Sequence, residues 1–264
     1  MATAQIDVVK ELQDSFQLLI KNWMLALPTA IAALLGSVLR FMIFGALAAG
    51  ALSSGVLGST GNQGAMTAAM AVLASVGLIG LIGGIVLALI GLVAQATVVY
   101  GATDIWAGRP LDLSSALSRG FAKLPQMIVG LILIVLLAII PCILVFLFIG
   151  VFLLLALGFF VMYWVPGVVI GNKSGMEAIG DSFNLAKNNF GPSALAFLGI
   201  FVVVLVGGFV DMLFSHIIGL NFLVSFVVGG FIYAFAAIVV VRMYELLTRS
   251  ASLAPAATPP APTA

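Results

Sequence analysis

Long stretches without a charged residue alternate with short polar segments along this chain. Charged side chains are absent from residues 41–103, 124–172, 188–210 and 212–241. A helix needs about 20 predominantly apolar residues to cross the hydrocarbon core of a bilayer. Each stretch is therefore long enough for one or two crossings, and the pattern predicts an all-α, polytopic membrane protein.

Polar clusters and glycines divide these stretches into six predicted transmembrane helices. Residues 124–172 should hold spans three and four, because one helix of that length would reach about 70 Å. We expect the turn between them near residues 148–150, with Pro141 as the alternative position. The other four spans have approximate bounds of 23–50, 67–99, 192–210 and 222–243.

The two ends of the chain differ in composition from the six-span domain, residues 23–250. Residues 1–22 carry charges and lack the apolar core of a signal peptide, which favours a cytoplasmic amphipathic helix. Residues 251–264 are almost all Ala, Pro and Thr. Such a segment has no apolar face to bury, so a disordered tail is predicted.

Basic residues predict the orientation. With six spans, both termini share one side of the membrane with the second and fourth loops. Nine of the ten Lys and Arg residues lie on that side, and Arg40 is the exception. The positive-inside rule makes this side cytoplasmic. We therefore predict a multi-pass protein of the cell membrane with both termini in the cytoplasm.

Three segments resemble one another and predict an internal repeat. Residues 14–23 read DSFQLLIKNW, residues 181–190 read DSFNLAKNNF, and residues 119–124, RGFAKL, are a fainter copy. Apolar residues recur at helical spacing, as in helices that lie in a membrane interface. The predicted unit is an interfacial helix followed by a transmembrane hairpin, with the interfacial helices at 5–22, 112–123 and 175–188. Alternatively, basic and aromatic residues simply mark where each helix enters the membrane.

A family resemblance rests on residues 100–201. Span four ends in YWVPGVVIG at 163–171, and MEAIGDSFNLAKNN follows at 176–189. The region resembles the six-helix membrane domain of glycerophosphoryl diester phosphodiesterases and its stand-alone relatives, mostly of unknown function. The residues that match the family pattern are Pro166, Glu177, Ala178 and Ser182. In the fused relatives a separate soluble domain performs the hydrolysis, so the resemblance implies the membrane fold without that activity.

The sequence offers few residues for catalysis. It has one His, one Cys and 7% charged residues, with a net charge of +1. No nucleotide-binding loop, nucleophile elbow or zinc-protease motif is present. We predict no enzyme activity, no catalytic residues, no cofactor and no metal site, and no binding to nucleic acid.

Two ionisable residues, Arg40 and Asp211, fall within or at the outer end of a span, where charges are functional candidates by default. Measured from the cytoplasmic ends of spans one and five, they lie about 25 and 28 Å deep. Their matched depth suggests an ion pair with a structural role. An ion or proton pathway is the alternative.

Small residues predict a helix-packing stripe on span two. They recur three or four residues apart, which lets another helix approach closely. The stripe consists of Gly77, Gly80, Gly84, Ala88 and Gly91. Gly229 and Gly230 in span six predict a second close approach. The pattern leaves open whether the neighbour is another span or another subunit.

These features favour a non-enzymatic membrane scaffold or accessory protein that acts through lipid or protein contacts. Its expected partners are membrane lipids, with a membrane protein or a second copy of the chain as further candidates. A small transporter or channel is the alternative. The polar residues and broken helices that transporters place at mid-membrane are only weakly represented here.

Overall fold

A computed structural model describes residues 6–53, 63–214, 217 and 220–253 of the chain. The structure is 91% helical, and no strand occurs among these residues. The helices are α1 (Val8–Lys21), α2 (Leu27–Ser53), α3 (Gln63–Trp106), α4 (Leu113–Ile143), α5 (Ile149–Val161), α6 (Trp164–Val169), α7 (Gly175–Asn188), α8 (Phe190–Phe214), α9 (Leu220–Val224) and α10 (Gly230–Leu253). A π-helical segment, Ser225–Gly229, joins α9 to α10.

Six helical segments of the described chain are long and apolar enough to cross a membrane, which confirms the predicted all-α, polytopic fold. Their bounds are Trp23–Ile43, Gly80–Trp106, Leu113–Leu147, Ile149–Val169, Phe190–Phe214 and Phe222–Ser250. Of the predicted disordered tail, residues 251–264, the first three instead belong to the end of α10, and residues 254–264 lie outside the described residues.

The turn between spans three and four lies at Phe148, as the sequence predicts. Phe148 has a left-handed backbone, with φ of 57°. Gly150 follows with no room for a Cβ, because that atom would overlap the carbonyl of Pro141 and the backbone of Val145. Pro141 itself lies inside α4 and does not form the turn.

Among the described residues, dense packing is concentrated at one end of the bundle. We call this the terminal end, because α1 packs there against α10. Its fully buried side chains include Leu25, Val98, Val99, Tyr163 and Met243. Toward the opposite end most large apolar side chains are exposed, as in Leu81, Ile140 and Leu205. Such a surface requires lipid rather than water around it.

Matching helix caps support the internal repeat. Asp7, Asp112 and Ser174 are the N-caps of α1, α4 and α7, and each accepts a hydrogen bond from the backbone N–H three residues further on. The three donor–acceptor distances are 3.1, 3.1 and 3.4 Å. All three residues stand at the same distance before the repeated segment. A helix can enter a membrane without an N-cap at this position. The shared caps therefore favour a true repeat over the alternative that the similar residues only mark membrane entry.

The C-terminal ends match in two of the three copies. Asn22 ends α1 with φ and ψ of −123° and 53°, and Asn189 ends α7 with −122° and 45°. Each side-chain amide donates to the carbonyl four residues earlier at 3.0 Å. The second copy has Met127 at this position, which cannot make that bond. Residues 113–123 are helical, as predicted, but they form the first part of α4, which continues without a break to Ile143, so no separate interfacial helix precedes span three.

Candidate functional site

A cavity of about 520 Å³ lies between α2, α3, α8 and α10. The helix α8 packs mainly against α10 and its π-helical segment, while α2 packs closely against α3. Glycines supply much of the lining, and three of them leave open space, because a Cβ at Gly36, Gly91 or Gly208 would meet no described atom within 4 Å. Gly207 and Gly229 also line the cavity, but they pack closely against Ile232 and Ala33.

Polar groups line the cavity at two levels. Gln95 and Thr29 lie nearer the terminal end, and the Thr29 hydroxyl donates to the carbonyl of Gly230 at 2.8 Å. Arg40 and Asp211 line the cavity close to the opposite ends of their spans. Apolar side chains such as Val204 and Ile232 make up the rest of the wall. The cavity is therefore apolar with a charged region toward one end.

Arg40 and Asp211 are brought to the same cavity, but the predicted ion pair between them is wrong. The ion pairs within the described chain join other residues. Asp211 instead accepts a hydrogen bond at Oδ1 from the Ser225 hydroxyl, at 2.9 Å. Arg40 is exposed, whereas Asp211 is half-buried. The two residues lie at a similar depth along their spans, as predicted from the sequence. Their charged groups do not pair, because the cavity lies between their helices.

The π-helical segment shapes the wall that carries Ser225. A π-helical turn inserts one extra residue into a helix and frequently occurs at functional sites. Three of its five residues, Ser225, Val228 and Gly229, line the cavity. Sequence reasoning missed this segment, because a π turn has no local signal beyond the glycines that follow it.

Within this single chain, the predicted glycine stripe on span two packs against another span only in part. A Cβ at Gly80 would contact Ile43 of α2 at 3.4 Å, but one at Gly77, Gly84 or Gly91 would meet no described atom within 4 Å. Gly91 and the half-buried Ala88 lie toward the cavity level, and Gly91 lines it. The close approach is instead made by Gly83, where a Cβ would lie 2.8 Å from Leu39.

The second predicted close approach, at Gly229 and Gly230, is confirmed. A Cβ on Gly229 would lie 3.0 Å from the Cβ of Ala33. At Gly230 it would lie 2.7 Å from the Cα of Ala30 and overlap the Ala30 side chain. The backbones of α2 and α10 therefore meet at this point, directly beside the cavity.

Two of the four residues that carry the family resemblance, Pro166 and Ser182, lie at a break between α5 and α6. Pro166 lies in the first turn of α6, where its missing N–H is tolerated. The Ser182 hydroxyl donates to the carbonyl of Phe160 at 2.7 Å and accepts from the backbone N–H of Tyr163 at 3.0 Å. It thus supplies partners to backbone groups at the break.

The remaining two motif residues, Glu177 and Ala178, lie in the first turns of α7. Ala178 is buried, and a Cβ on Gly167 of α6 would contact it at 3.2 Å. Glu177 closes a capping box with Ser174. The backbone N–H of Ser174 donates to the Glu177 carboxylate and lowers the pKa of that carboxyl group. Nearby, the Lys173 ammonium donates a hydrogen bond to the Asp181 carboxylate, which raises the pKa of Lys173.

A buried carboxylate, Asp104, was not singled out by sequence reasoning. Arg109 and Arg119 both donate to it, and its side chain is only 9% exposed. Gly108, with φ of 75°, forms the turn that brings Arg109 back toward Asp104. The guanidinium of Arg119 also lies 4.6 Å from the centre of the Tyr100 ring. This network joins the end of α3 to the start of α4, so we assign its residues a structural role.

No protein family, curated protein or solved structure matches the chain. The resemblance to the phosphodiesterase membrane domain therefore stays a prediction. The fold itself defines the chain as an all-α, multi-pass membrane protein.

Proposed function

We propose that this chain is a non-enzymatic integral membrane protein that acts through lipid contacts, holding an amphiphilic membrane molecule in the cavity between α2, α3, α8 and α10. The single observation that carries the proposal is the lining of this cavity. Apolar wall and a charged region at one end match a molecule with apolar chains and a polar headgroup.

Size and position support the same function. Small-molecule sites in proteins commonly have volumes of about 300–1,000 Å³, and they combine an apolar wall with a few polar groups. The cavity of about 520 Å³ falls within that range. The helices around it expose apolar side chains such as Leu205 and Val227, so lipid surrounds its walls. A membrane lipid would need no aqueous route to reach it.

A cavity-filling substitution tests the proposal. Gly91→Trp places an indole in the cavity, because Gly91 lines it and a Cβ there meets no described atom within 4 Å. Gly84→Trp is the matched control, since Gly84 has the same open surroundings on α3 but does not line the cavity. We expect Gly91→Trp to lower the lipid retained by the protein in mild detergent about tenfold, a change of about 1.4 kcal/mol.

Retained lipid is measured by native mass spectrometry after purification of the full chain. Thermal unfolding of both variants shows whether they remain folded. The proposal is wrong if folded Gly91→Trp keeps as much lipid as wild type, or if Gly84→Trp loses as much as Gly91→Trp.

Transport of the bound molecule is the second candidate, favoured by the π-helical segment that lines the cavity. Beneath the cavity, the terminal end is filled by buried side chains such as Val98 and Met243. Transport would require this packed region to open. Proteoliposomes that move a fluorescent phospholipid between leaflets faster than empty vesicles do would favour transport over a scaffold role.

The proposed location is the cell membrane, with both termini in the cytoplasm. The asymmetry of Lys and Arg supports this orientation. A reporter enzyme that is active only in the cytoplasm, fused after Ala264, should be active. A reporter that needs export should be inactive at the same position. Activity of the exported reporter instead would reverse the orientation.

A further inference from the structure

Two opposite charges face one cavity without pairing with each other. Arg40 lines it from α2 and Asp211 lines it from α8. A charge within a span is costly unless an opposite charge or polar group compensates it. Ser225 compensates part of the Asp211 charge, through one neutral hydrogen bond of 2.9 Å. Among the described residues, no carboxylate forms an ion pair with Arg40.

We propose that the cavity selects a zwitterionic phospholipid, with the phosphate bound by Arg40 and the headgroup ammonium bound by Asp211. This inference rests on the proposed lipid-binding function and names its ligand class. A guanidinium binds phosphate oxygens through paired hydrogen bonds, which makes Arg well suited to this headgroup. The carboxylate of Asp211 supplies the negative charge that an ammonium group requires.

Charge complementarity separates this ligand from singly charged lipids. An anionic lipid would pair with Arg40 through its phosphate but would leave Asp211 without a cationic partner. A cationic lipid would pair with Asp211 and be repelled by Arg40. Only a headgroup that carries both signs can pair with both residues.

The position of the charges fits a phospholipid. Arg40 and Asp211 lie near the ends of their spans, where a headgroup resides, while Val204, Val228 and Ile232 line the cavity beside them. Ser225 donates to Asp211 Oδ1 and thereby orients the carboxylate. A soluble zwitterion such as glycerophosphoethanolamine would leave this apolar wall unfilled, which is why a membrane lipid is the occupant.

The test is a competition among three lipids with identical dioleoyl chains. The purified full chain is incubated with equal amounts of phosphatidylethanolamine, anionic phosphatidylglycerol and a cationic trimethylammonium-propane lipid. Native mass spectrometry then measures the fraction of protein that carries each lipid. Wild type should prefer phosphatidylethanolamine about tenfold over either competitor, since one lost ionic contact of about 1.4 kcal/mol changes affinity by that factor.

Charge-removing variants should change the preference in opposite directions. Arg40→Gln should favour the cationic lipid, and Asp211→Asn should favour phosphatidylglycerol. Arg40→Lys and Asp211→Glu keep the charges and should keep the preference for phosphatidylethanolamine. A purely structural role for the two residues would lower stability without this crossed change.

The possible outcomes separate this inference from the lipid-binding function itself. If wild type retains lipid and Gly91→Trp does not, but the three headgroups compete equally or phosphatidylglycerol is preferred, the headgroup assignment is overturned and lipid binding stands. If Gly91→Trp retains as much lipid as wild type, the lipid-binding function fails as well. The wild-type competition needs no variant, so misfolding of a variant cannot conceal a negative result.

Discussion

Gly230→Val should destabilise the fold by about 3 kcal/mol or more, the upper part of the range for overpacked interiors. The new Cβ would lie 2.7 Å from the Cα of Ala30 and 3.0 Å from its backbone nitrogen. Both are backbone atoms, so relief requires α2 and α10 to separate. Separation would also lengthen the hydrogen bond from Thr29 to the Gly230 carbonyl, now 2.8 Å. A lower temperature of thermal unfolding in detergent would report the loss.

Gly84→Val is the control for this prediction. Gly84 is also a helical glycine in a span, but a Cβ there meets no described atom within 4 Å. Both substitutions introduce the same β-branched side chain, so any difference between them comes from the contact with Ala30. We expect Gly84→Val to change stability by less than about 0.5 kcal/mol, as for most surface substitutions. Equal losses in both variants would show that the contact at Gly230 is not tight.

The six spans could be predicted from the sequence because membrane crossing depends on length and apolarity, both of which are local. The turn at Phe148 follows for the same reason, since an uncharged stretch of that length must fold back. The N-caps of the repeated helices are also local features. Asp7, Asp112 and Ser174 each cap a helix whose first turn follows directly in sequence.

Contacts between helices could be predicted only in part. Helical periodicity indicates which face of a helix is packed, but it does not show which other helix contacts that face. The glycines of α3 share the predicted spacing, yet Gly77 and Gly84 are exposed and Gly83 contacts Leu39 instead. For Arg40 and Asp211, counting residues gave the depth of each charge along its helix. It could not give the rotation of either helix or the separation of α2 from α8. The cavity arises from that separation, and no single segment of sequence encodes it.

Asp104 shows a further limit of prediction from the sequence. It stands at the end of an uncharged stretch, and no local pattern distinguishes it from an ordinary boundary residue at the membrane surface. Its burial depends on the left-handed turn at Gly108, which returns Arg109, and on the packing of α4, which supplies Arg119. The first contact is close in sequence, but the second joins residues of two different spans.

Ser182→Ala should lower stability by about 2–4 kcal/mol, because it removes two hydrogen bonds from a buried helix break. The Ser182 hydroxyl serves the carbonyl of Phe160 at 2.7 Å and the N–H of Tyr163 at 3.0 Å. A buried backbone group left without a partner costs about 1–3 kcal/mol. Pro166 prevents the helix from simply closing over the break, since its ring would clash with the carbonyl four residues earlier.

The repeat supplies a matched control in Ser15→Ala. Ser15 occupies the position in α1 that Ser182 occupies in α7, and both side chains are buried. The Ser15 hydroxyl, however, has no hydrogen-bond partner among the described residues. Its removal should be neutral or slightly stabilising, because burying an unpaired hydroxyl is itself unfavourable. Thermal unfolding of both variants in the same detergent checks the pair. Similar losses of thermal stability at the two positions would contradict the prediction. Packing around the small side chain, and not hydrogen bonding at the break, would then explain the serine at position 182.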